Sequence, residues 1–105
     1  MDDLQNRQFR KLADTHIDVA NKHCDLYEPP MVNSSMLFAA ARFSAFVVAH
    51  KTGSLESYDE QTEKALDYYS DEFRRMLEEN LSDYRRVFER ETGASEADGS
   101  SDESG

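Results

Sequence analysis

A chain of 105 residues and 12.1 kDa has room for one modest core, and its 22 Asp and Glu against 12 Lys and Arg leave a formal charge of −10. Nucleic-acid affinity rests on Lys and Arg displacing counterions from phosphates, so so acidic a chain is expected to bind no nucleic acid. Cys24 stands alone, which excludes an internal disulfide and a thiolate cluster for zinc or iron–sulfur, and MDDLQNRQFRK lacks the basic start and apolar run of a signal peptide, so a cytoplasmic location is expected.

Three amphipathic segments follow in chain order, none with the two-residue period of a strand. In the first, Phe9, Leu12, Ala13, His16, Ile17, Ala20 and Cys24 recur at three- and four-residue spacing, one stripe of a helix that Asp2 or Asp3 can cap. The prolines of LYEPPMV are expected to stop it near Asp25, with Leu26, Tyr27, Met31 and Val32 packing over a core edge.

Asn33 or Ser34 can cap the second segment, which should run to about Lys51 with Gly53 as its left-handed C-terminal residue. Residues 36–49 are apolar apart from Arg42 and Ser44. A membrane span needs about 20 apolar residues, so a shorter run with a guanidinium near its middle reads as a covered helix at the centre of a soluble bundle, with no membrane involved.

The third segment begins at SYDE, where Ser57 and Glu60 have capping-box spacing, and no Gly or Pro interrupts it before Gly93. Its stripe includes Leu66, Tyr69, Phe73, Met76, Leu77, Leu81, Tyr84, Val87 and Phe88, and Glu60 with Lys64, Arg74 with Glu78, Arg75 with Glu79 and Arg85 with Glu89 are spaced for ion pairs on the other side. At 1.5 Å per residue it reaches roughly 50 Å against roughly 27 Å for the second helix, so its far half overhangs. Either a second copy of the chain covers Met76, Leu77, Leu81, Tyr84, Val87 and Phe88, or a break near Glu79 and Asn80 folds the end back as a short fourth helix. The last stretch, ASEADGSSDESG, has no large apolar residue and no positive charge, so residues 94–105 read as a disordered tail after a single helical domain over 1–93.

Arg42 has Phe38, Ala39, Ala45 and Phe46 three and four residues away. Charge in that setting needs a partner, so a semi-buried ion pair with Asp14, Asp18, Asp67 or Asp71 is expected, or else an anion pocket between helices, or a side chain reaching water. His16, His23 and His50 lack Glu-x-x-His and His-Glu-x-x-His spacing and read as packed, hydrogen-bonded histidines. Cys24 reads as a small core residue, and Tyr68 with Tyr69 as one core ring beside one half-exposed ring. The carboxylate pairs Asp14 with Asp18 and Asp67 with Asp71 are the coincidences that 22 acids produce. No catalytic, cofactor-binding or metal-binding residue is assigned.

The stretches SSMLFAAARFSAFVVAH and ALDYYSDEFRRMLEENLSDY, with the lead-in FRKLADTHIDVAN, resemble a family of short proteobacterial proteins catalogued as domain of unknown function 3144, over roughly residues 9–88. The resemblance implies a bacterial cytosolic helical protein with no assigned activity, cofactor or catalytic residue, and the acidic tail looks like an addition to the family pattern. The expectation is therefore an all-α, up-down-up three-helix bundle that self-associates, most simply as a homodimer, through the end of a long third helix. The alternatives are an acidic adaptor or inhibitor docking another protein through the same stripe, and a small-ligand binder with a pocket at Arg42.

Overall fold

The first helix begins at a reciprocal cap. In the computed structural model, which describes residues 2–98, the Gln5 amide donates to Asp2 Oδ1 at 2.8 Å while the Asp2 amide donates to Gln5 Oε1 at 3.2 Å. This capping box satisfies backbone donors that a helix start leaves free. From it α1 runs Asp3–His23 and ends with Cys24, and Lys22 and His23 lie in the last turn, where cations suit the carbonyl end of the helix dipole.

The prolines start the next helix instead of delaying it. Helix α2 runs Pro29–Thr52, with Glu28 as an extended N-cap and no side-chain cap, so Asn33 and Ser34 lie inside the helix. The missing amide of a proline costs nothing in a first turn, whose amides have no intrahelical partner, and its fixed φ suits helix entry. At the far end Gly53 takes φ 75° and its amide donates to Ala49 O at 3.2 Å. A left-handed residue without a Cβ ends the helix there at no steric cost.

Helix α3 runs Leu55–Asp98, 44 residues or about 66 Å at the usual rise. It starts two residues before Ser57, so the Ser57 and Glu60 pair falls in its first turns and does not mark its start. The helix is unbroken at Glu79 and Asn80, and Asn80 Nδ2 donates to the Met76 carbonyl at 2.9 Å, so there is no fold-back into a fourth helix. The backbone of residues 94–98 continues the helix past Gly93 into the stretch that composition reads as a tail; the remainder of that stretch, 99–105, lies outside the described residues.

The fold class is all-α with three helices. The chain divides into two units, Met1–Ser54 and Leu55–Gly105. In the first unit α1 and α2 meet beside their connecting turn, where Ala20 and Val32 are buried, and Met36, Ser44, Val47 and Val48 are partly covered. Here the expectation of a covered central helix is corrected: Phe38, Phe43 and Phe46 of α2 are 58–67% exposed. One amphipathic neighbour can cover one stripe of a helix that is apolar on most of its circumference, and α1 covers little more than the start of it. Leu26, Tyr27 and Met31 are exposed as well, leaving Val32 as the one residue of the proline loop that packs down. The second unit is a single helix, and a single helix has no core.

Candidate interaction surface

The apolar residues of α3 form a continuous ridge. Leu66, Tyr69, Phe73, Met76, Leu77, Leu81, Tyr84 and Phe88 follow one another at one- to four-residue steps along one face, and each is between 37% and 67% exposed. Val87 is partly covered. The six positions expected to mediate interaction, Met76, Leu77, Leu81, Tyr84, Val87 and Phe88, therefore share one face, and an unbroken helix holds them in fixed relation. Around Leu81, Tyr84, Arg85 and Phe88 the surface dips into a shallow open depression. Side chains of one helix line it, so it presents a contact surface and encloses nothing.

Charged pairs hold the flanks. Arg74 meets Glu78 at 3.3 Å, Arg85 meets Glu89 at 3.2 Å, and Arg75 meets Glu79 at 3.4 Å as the spacing indicated; Arg75 also meets Glu72 at 2.8 Å, and Arg86 meets Asp83 at 2.6 Å. The Glu72 hydrogen bond, and then its charge, raise the Arg75 pKa further above its ordinary value. Among the described residues Glu60 and Lys64 form no ion pair. Exposed pairs of this kind contribute a few tenths of a kcal/mol each and mainly keep the flanks of the ridge solvated.

Other positions singled out from the sequence lie apart from the ridge. Arg42 is exposed on α2, and within its own unit neither Asp14 nor Asp18 pairs with it. A guanidinium that keeps its hydration needs no partner there. His16, His23 and His50 are exposed too, and His50 stacks on Phe46 with ring centroids 6.0 Å apart. Cys24 is exposed at the end of α1 and is not a core residue. Tyr68 and Tyr69 meet edge to face at 5.1 Å, and neither ring is buried. Asp14, Asp18, Asp67 and Asp71 are all exposed, and among the described residues no group of three His, Cys, Asp or Glu converges.

The exposed ridge is longer than the six expected positions: Leu66, Tyr69 and Phe73 extend it toward the start of α3, and the recurrence of Leu66, Leu77 and Phe88 at 11-residue intervals is the signal for it in the sequence. The segment whose apolar run of 36–49 reads as too short for a span belongs to a longer helix: α2, acid-free from Pro29 to Thr52, is by length and composition apolar enough to cross a membrane, with a mean hydropathy of 1.4 and 6% of its most apolar window buried.

Comparison with known families places the chain. The model of the family described as a protein of unknown function, DUF3144, matches residues 9–85, most of the sequence. The chain belongs to the DUF3144 family. The match takes in α1 from Phe9 onward, all of α2 and the ridge of α3 as far as Tyr84, and stops short of Phe88 and the acidic end. No curated protein and no solved structure matches the chain.

Proposed function

We propose that this DUF3144 protein is a cytoplasmic, self-associating interaction module without catalytic activity, which forms a homodimer through the exposed ridge of α3. The ridge carries the reading: between residues 66 and 88 eight large aromatic and aliphatic side chains, each 37–67% exposed, follow one another along one face, and extended apolar patches of this kind mark interaction sites. A continuous helix bearing such a face is the form that helix-on-helix docking takes. Closed twofold assembly is the commonest way for one chain to cover such a face, which favours a second copy over an unrelated protein.

Sedimentation equilibrium at tens of micromolar tests this. The expected mass is that of two chains, and Leu81→Asp is expected to return it to one while far-UV circular dichroism retains the helices of residues 3–52. A wild-type chain that stays monomeric and binds a hydrophobic dye would instead favour the adaptor reading, in which the ridge docks a different protein.

A further inference from the structure

We infer that the two copies pair antiparallel along α3, with Leu77 near the twofold axis. This rests on the dimer proposed above and adds its orientation, register and specificity.

Three observations carry it. Leu66, Leu77 and Phe88 stand 11 residues apart, and 11 residues advance a helix by three turns and about 20°, so the ridge stays on one side of a nearly straight helix. Leu77 is its midpoint. Rotation about an axis there lays Leu66 against Phe88 of the second copy and Phe73 against its Leu81, so large residues meet large residues along about 33 Å. The exposed ridge, with Tyr69 and Met76 included, supplies eight large apolar side chains, four of them aromatic, as the anchors of such a seam.

Charge decides the direction. Residues 55–73 carry seven acids and one base, Lys64, whereas residues 74–93 carry five acids and five arginines. A parallel pair would set the acidic half of one copy along the acidic half of the other. An antiparallel pair sets it along the half that holds the arginines. With Leu77 at the centre, Arg85 of the second copy comes alongside Tyr69, on the flank where Glu63 and Asp67 border the ridge. Like charges facing each other across helices disfavour one orientation and opposite charges favour the other, so orientation is selected even where each pair adds little.

Pulsed dipolar electron spin resonance on the full chain tests the orientation, with Cys24→Ser and a nitroxide at Thr92→Cys, an exposed position of α3 beyond the ridge. Antiparallel pairing centred on Leu77 separates the two labels by about 45 Å along the axis, and parallel pairing brings them within ~20 Å. A distance near 45 Å in a sample of dimer mass is expected. A short distance, or several distances, at dimer mass overturns the orientation and leaves the homodimer standing; a monomer mass overturns both. In a second experiment, Arg85→Glu, and separately Asp67→Arg, which the register sets on the same flank within one helical turn of each other across the pair, should each weaken self-association at least five-fold, and mixing the two variants should restore it. Two weakened variants that do not recover on mixing would sink the register.

Discussion

Single residues act through the ends and turns of the helices. Asp2 joins cap to helix by its side chain, so Asp2→Ala should cost about 1 kcal/mol of α1 stability, read as fraying in hydrogen exchange of the first turn. Gly53 holds φ 75° with nothing within 4 Å of where a Cβ would stand, so Gly53→Ala meets no clash with a neighbour but carries the left-handed penalty of an L residue, about 1–2 kcal/mol in denaturant titration. Arg42→Ala should change stability by less than ~0.5 kcal/mol, because an exposed charge without a partner leaves nothing unsatisfied behind. A loss of several kcal/mol would mean that Arg42 is enclosed in the assembled protein. The caps at Asp2 and Gly53 were legible in the sequence because they depend on neighbours three or four residues away. The surroundings of Arg42, Cys24 and the histidines were not, since burial depends on which other helix arrives, and periodicity says only which residues share a side.

At the scale of elements, the number and type of helices followed from spacing, and the errors fell at boundaries where two local rules competed. Pro29 and Pro30 read as breakers of a preceding helix and serve as openers of the following one. Asn80 marks a different conflict: an amide in the middle of the α3 ridge, bonded to its own helix at Met76. A polar residue at such a position weakens association while restricting the ways in which helices fit together. Asn80→Leu is therefore expected to tighten self-association several-fold in sedimentation equilibrium. A weaker dimer would mean that the side bearing Asn80 faces water.

For the whole molecule, the small amount of buried apolar surface within each unit ties folding to assembly. If dimerisation supplies the missing burial, the thermal midpoint followed by circular dichroism should rise by several degrees between about 1 and 100 µM chain, as mass action requires. A midpoint independent of concentration would show that a lone chain is already stable. The open face of α2 allows a second cover, the lipid bilayer, which Arg42 opposes: a guanidinium at the centre of a span costs about 2.5–3.5 kcal/mol on insertion scales. In a flotation experiment the protein should stay with the aqueous fraction, and migration with anionic liposomes would give α2 a membrane role.

By itself the sequence determined that the chain is all-helical with three helices, that α1 is capped at its start and α2 ends at Gly53, which residues share a face, and to which family it belongs, because each of these depends on neighbours within a turn or two or on the order of residues alone. Tertiary structure decided what touches those faces. Apolar spacing creates a stripe that must be covered, but the cover comes from residues distant in sequence or from another chain, and no local spacing encodes that choice. Hence Phe38, Phe43 and Phe46 of α2, read as sheltered, are exposed, and the exposed ridge of α3 reaches back from Phe88 to Leu66.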